Sequence, residues 1–220
     1  MEGANLAFIP KNIEEFFWSQ DGVKNIVQSG LGDRPAFSKK MVEEGLTSIV
    51  YVSKPATLMY RKFEKFEKFA RHKDLGPVKQ WHAEYGFPEK DFFETYRRYA
   101  KAIVGVGSSS GNDNYFGLTT EFILLNNPFE DRIQDFLKLK LVYEGRPRKR
   151  AQVEVFERSD SGTVRIITTK TSNDGIALVP IKRGSVYLFD AVKLRPAKQS
   201  IDQKAVWETL WASLMVEVPK

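Results

Sequence analysis

Phe136-Leu137-Lys138-Leu139-Lys140-Leu141-Val142-Tyr143 sets Leu137, Leu139 and Leu141 at alternate positions with lysines between them. A period of two is the mark of a strand with one face packed and the other wet. Glu144-Gly145-Arg146-Pro147 breaks the run with turn chemistry, and 152–156 resumes the alternation through Val153 and Val155. Three more β-rich runs follow at 164–169, 176–181 and 186–194, separated by Ser172-Asn173-Asp174-Gly175 and by Lys182-Arg183-Gly184. Residues 118–125 add a strand ahead of these, and the second half of 206–218 alternates as a closing strand should. Short alternating runs at this spacing predict an antiparallel, immunoglobulin-like β-sandwich over 118–220.

Upstream the pattern is mixed. Residues 22–27 and 47–53 are strand-like, with Gly32-Asp33-Arg34-Pro35 as a turn between them. Two or three strands do not make a stable sheet unaided, so 1–117 is expected to be an incomplete β domain. From Tyr60 the period lengthens. Phe63, Phe66, Phe69 and Ala70 recur at helical spacing, and Gly76-Pro77 stops that helix. Val78, Trp81, His82 and Tyr85 mark a second. Phe92, Tyr96, Tyr99, Ala100 and Ile103 fit the stripe of a third. The class is therefore mainly β with an insertion of two or three helices over about 60–104, and with a Gly/Ser/Asn linker at 105–117.

With 34 basic and 28 acidic residues among 220, the net charge of +6 is dispersed rather than gathered into a nucleic-acid footprint. The absence of cysteine excludes disulfides and thiol catalysis. No apolar run reaches the length of a membrane span. Met1-Glu2-Gly3-Ala4-Asn5 has neither the basic nor the apolar region of a signal peptide, so the chain is expected to be cytosolic or to begin after its signal.

Four patterns invite a chemical reading. Gly107-Ser108-Ser109-Ser110-Gly111 matches a nucleophile elbow, but Asn112-Asp113-Asn114 follows where a helix should start, so a loop is expected. Glu89, Asp91 and Glu94 supply carboxylates for glycoside hydrolysis, which needs two facing across a cleft; at a predicted helix start they serve the dipole instead. Arg146, Arg148, Lys149 and Arg150 form the densest basic run and read as a solvated turn. His72 and His82 are the two histidines of the chain. A helical hairpin would bring them together with Asp74 or Glu84, a set suited to nickel, cobalt, copper or zinc.

Several runs resemble one family along nearly the whole chain. Gly32-Asp33-Arg34-Pro35-Ala36, Glu44-Gly45-Leu46, Phe63-Glu64-Lys65-Phe66, His72-Lys73-Asp74, Asn127-Pro128 and Tyr143-Glu144-Gly145-Arg146-Pro147 occur in order. The most specific are Tyr96-Arg97-Arg98-Tyr99-Ala100-Lys101 and Trp207-Glu208-Thr209-Leu210-Trp211-Ala212-Ser213-Leu214. Together they are similar to the bacterial proteins grouped as domain of unknown function 4198.

That resemblance implies an exported, periplasmic protein with two sandwich-like parts and a helical insertion. Some relatives are described as substrate-binding-like components of nickel or cobalt uptake, and others carry a glycoside hydrolase family 25 label; no catalytic residues transfer. Members normally open with a signal peptide and a His-Glu-Phe-Trp strand. By that comparison this chain starts late, and an unpaired sheet edge would favour self-association.

The expectation is thus a non-enzymatic binding or accessory protein linked to a membrane metal-uptake system. Its metal site would be His72, Asp74, His82 and Glu84, beside a structural charge network of Asp33, Arg34, Arg97, Arg98 and Glu121. The rival readings are a protein that binds or cleaves cell-wall glycan and a purely structural or adhesive module.

Overall fold

The computed structural model describes residues 7–130, 135–198 and 204–220. The start at Met1–Asn5 lies outside them, as does most of the polar run before Lys204. Strands β1 (Ile13–Gln20) and β2 (Val23–Ile26) form a hairpin across Asp21-Gly22. Both turn residues have positive φ, 49° and 79°, which is what Asp-Gly supplies at a tight hairpin turn. Next come β3 (Gly45–Ser53), β4 (Ala56–Tyr60), α1 (Phe63–His72), α2 (Val78–Glu84) and β5 (Phe92–Val106). Downstream are β6 (Thr120–Leu124), β7 (Phe136–Tyr143), β8 (Arg146–Pro147), β9 (Gln152–Arg158) and β10 (Val164–Lys170). The chain ends with β11 (Ile176–Pro180), β12 (Val186–Pro196) and β13 (Ala205–Glu217).

These strands make two layers. The large sheet runs β10-β9-β12-β13-β5-β3-β1-β2 with β4 also on β5, and the small one runs β11-β7-β6 with β8 on β7. The mainly β class with a helical insertion holds, and the alternation of β7 points Leu137, Leu139 and Leu141 into the space between layers, each fully buried. Against them the large sheet presents Val153, Val155, Phe189, Leu214 and Ile103.

Two expectations change. The stripe from Phe92 to Ile103 lies in a fifteen-residue strand, Phe92–Val106, not in a third helix. The division at 117/118 does not separate two sheets either, because β5 pairs in parallel with β13, aligning Tyr99 with Ala212 and Ile103 with Val216. The N-terminal strands thus find their partners in the C-terminal half. β1 sits between β2 and β3, and the sequence reading missed it.

The helices cover the outer face of the large sheet. Phe63, Phe66, Ala70 and Val78 pack onto Phe92, Val192, Leu194 and Trp207 there. The inner face is closed at one end by Phe17, Val50, Val52, Tyr99 and Leu210, with Leu118, Phe116 and Tyr143 as their lid. Beside that lid, inner-face residues of the large sheet and the loops flanking β6 and β7 border an opening.

Candidate functional site

That opening is a cavity of about 570 Å³. Arg97 and Tyr99 of β5, Glu208 of β13 and Arg195 of β12 line it from the large sheet; Tyr115 and Glu144 line it from the facing loops. Strand alternation puts the four sheet residues on the inner face. Arg195 lies opposite Glu208 in the β12–β13 register, and Leu210, two residues on, lies opposite Arg97.

Arg195 is the hub. Its Nε donates to Glu208 Oε2 at 2.7 Å, and its Nη1 donates to the Tyr143 hydroxyl at 3.0 Å and to Glu144 Oε1 at 2.9 Å. Burial alone would ease the proton off this guanidinium, but the bonds to Glu208 and Tyr143 win and hold its pKa above the usual arginine value. Burial also raises Tyr143, with Arg195 opposing. The second Glu208 oxygen, Oε1, is buried without a hydrogen-bond partner among the described residues, in a side chain only 1% exposed. Arg97 is a second under-used group: Nη2 and Nη1 donate to Glu14 at 2.9 and 3.3 Å, while its buried Nε has no partner among the described residues. A buried polar atom left unpaired costs on the order of 1–3 kcal/mol, so two beside one cavity are noteworthy.

The residues expected to bind metal do not converge. His82 is buried at 3% exposure, where its Nδ1 accepts the Trp207 indole N–H at 3.0 Å. Nε2 therefore carries the proton and donates it to Pro88 O at 3.0 Å, and neither nitrogen keeps a lone pair for a cation. His72 is 67% exposed, with Nε2 2.7 Å from Glu154 Oε1. Asp74 pairs with Lys170 at 2.6 Å, and Glu84 accepts from Gln80 at 2.8 Å. Among the described residues no group of three or more His, Asp or Glu is placed to hold a metal.

The expected charge network is likewise dispersed. Asp33 accepts from Ser29 Oγ at 3.0 Å and from the Gly30 amide at 2.6 Å inside its own turn, and Arg34 is exposed beside it. Arg98 lies over the Tyr96 and Trp211 rings on the outer face. Glu121 joins a buried cluster with Lys101 at 2.8 Å, alongside Asp113. Arg97 alone of the five reaches the cavity.

The other sequence patterns resolve too. Ser109 donates its hydroxyl to Gly107 O at 3.2 Å, in the expected loop. Glu94 lies on the outer face, buried and accepting from Thr209 Oγ1, with its pKa raised by burial. In the basic run Arg148 is not solvated: its Nη2 donates to Val192 O, and burial lowers its pKa to about 10. Sequence reading missed Arg195, Glu208 and Tyr115 as site residues; the Tyr-Glu-Gly turn that ends β7 was visible, but its partners lie some fifty residues away.

No helix among the described residues is long and apolar enough to cross a membrane. No curated protein and no solved structure matches the chain. The model of a family described as a domain of unknown function, DUF4198, matches residues 3–194, and the chain belongs to that family.

Proposed function

We propose that the chain is a non-enzymatic binding protein of an exported compartment, and that it takes a small polar ligand into the mouth between its two sheets. The observation that carries this reading is the convergence of Arg97, Arg195, Glu208, Tyr99 and Tyr115 on one cavity with unpaired buried polar atoms at its wall. A cavity of about 570 Å³ falls within the usual range for small-molecule sites. Its charged groups are tied into the fold rather than poised for proton transfer: both lining carboxylates, Glu144 and Glu208, are bound to the same Arg195. That arrangement favours holding a ligand over cleaving a glycan, which needs one carboxyl free as an acid and another as base or nucleophile. Export rests on the family likeness. The tie to nickel or cobalt uptake rests on it as well, and the dispersal of His72, Asp74, His82 and Glu84 leaves it without the site expected to serve it.

The test is an amide NMR titration of the full chain with neutral and acidic monosaccharides, amino acids and hydroxy acids. Binding should move the resonances of 97–99, 115–119 and 144–145 together. A panel that moves none of them, or that moves the helical hairpin instead, would overturn the reading.

A further inference from the structure

The first residues of β1 bear on what the mouth accepts. The β1–β3 register shifts between Ile13, opposite Ser53, and Glu15, opposite Val52, so Glu14 is the extra residue of a β-bulge. Bulges bend a strand locally and re-aim a side chain, and they cluster at functional edges. This one delivers Glu14 to Arg97, two strands away across β3. Nη2 meets Oε2 at 2.9 Å and Nη1 meets Oε1 at 3.3 Å, the two-pronged fit of a planar carboxylate on a guanidinium.

Arg97, Arg195 and Lys198 are the cations that line the mouth, and the two arginines among them are held very differently. Arg195 is fixed by three partners, one of them the buried Glu208. Arg97 is held by Glu14 alone among the ion pairs of the described residues, and the Glu14 side chain is 39% exposed. An exposed carboxylate returns to water at little cost, so this pair is weak in the way surface pairs are. Displacing Glu14 frees the two Nη groups of an arginine that already lines the cavity, where the Tyr99 and Tyr115 side chains supply hydroxyls.

We propose that Glu14 is a built-in stand-in for the ligand: the mouth binds a small hydroxylated carboxylate, whose carboxylate displaces Glu14 from Arg97. This rests on the reading of the mouth as a ligand site. It adds that the ligand is anionic, that its anionic group is a carboxylate, and that the free protein competes with it. Like replaces like on the guanidinium, so the geometry that Glu14 shows is the geometry the ligand adopts.

The probes are D-glucuronate, D-glucose and D-glucose 6-phosphate, titrated by amide NMR into the full-length chain and its Glu14→Gln, Glu15→Gln and Arg97→Gln variants. E14Q should tighten glucuronate about three- to fivefold and leave glucose unchanged, since a competing ion pair of the surface kind holds the guanidinium by no more than about that factor. E15Q removes the same charge one residue away and should change affinity less than about twofold, which separates displacement from general electrostatics. R97Q should abolish the preference for glucuronate over glucose; if R97Q does not fold, the comparison of E14Q with E15Q decides the matter by itself. Equal responses in E14Q and E15Q would overturn the proposal. Tighter binding of the phosphate with the same response to E14Q would overturn its carboxylate assignment. Glucose and glucuronate moving the mouth equally in every variant would leave the mouth a ligand site and remove the role of Glu14, whereas no movement of the mouth with any probe would remove both.

Discussion

Lys101 Nζ and Asp113 Oδ2 lie 3.0 Å apart with side chains 2% and 0% exposed, and Glu121 closes the cluster at 2.8 Å from the same ammonium. The three residues join β5, the 107–119 loop and β6. Asp113 also accepts from the Leu124 amide and from Ser48 Oγ, while Glu121 accepts the Phe116 and Leu118 amides. The loop that lids the inner core and carries Tyr115 to the mouth is thereby fastened to both layers. Replacing Lys101 by Met would strand two buried carboxylates. The expected loss is about 3–5 kcal/mol by urea denaturation, and a loss below about 1 kcal/mol would show that the cluster is not sealed.

Phe66 is the centre of the hairpin's contact with the outer face, stacked at 5.9 Å from Trp207 and edge-on at 5.6 Å from Phe92. Phe66→Ala should cost about 3–5 kcal/mol. Because the mouth lies on the opposite face of the sheet, ligand affinity measured well below the unfolding midpoint should stay unchanged. A matching loss of affinity would tie the helices to the site.

His82 works as a structural bridge between Trp207 and Pro88. His82→Phe keeps the ring but orphans the indole N–H and a carbonyl, for an expected cost of about 1–3 kcal/mol. The same reading makes calorimetry with nickel, cobalt and zinc insensitive to these residues. Any heat seen with the parent should persist when His72 and His82 are both replaced; its loss would restore the histidine pair as ligands.

Glu94 gives a pH signature. Burial raises its carboxyl above the ordinary 4.5, against hydrogen bonds from Thr209 and Tyr60. The folded state then keeps a proton that the unfolded state has lost, so this group's contribution to stability declines as pH rises from 4.5 through the raised folded value. Glu94→Gln removes that decline while keeping an oxygen for Thr209. The variant should match the parent near pH 4 or below and exceed it at pH 7, in paired thermal melts. A constant offset across that range would contradict the assignment.

The edges and turns of the sandwich were legible because strands with one wet face advertise their period: Leu137, Leu139 and Leu141 alternate with solvent-facing neighbours. β5 reads as a helix in the sequence for the opposite reason. It is central, with helices over one end of one face and the second layer over the other, so Phe92, Tyr99 and Ile103 are buried without a clean alternation and fell by accident on helical spacing. Its polar members are intelligible only through remote partners, Lys101 through Asp113 and Glu121, Glu94 through Thr209. β1 did carry a signal, the Asp21-Gly22 turn between two apolar runs, which is a strong local hairpin cue. Of the site, Arg97 is legible in the sequence only as one charge of an expected structural network. That it shares a cavity with Arg195 and Glu208 follows from the parallel β5–β13 pairing, and no local pattern specifies it.

Hydrogen–deuterium exchange of the full chain with and without saturating D-glucuronate tests the location of binding most directly. Protection should be confined to peptides covering 95–99, 115–119, 143–146 and 195–198, with the 63–84 hairpin unaffected. Protection centred on that hairpin, or none in the four mouth segments at saturation, would contradict a ligand seated between the sheets.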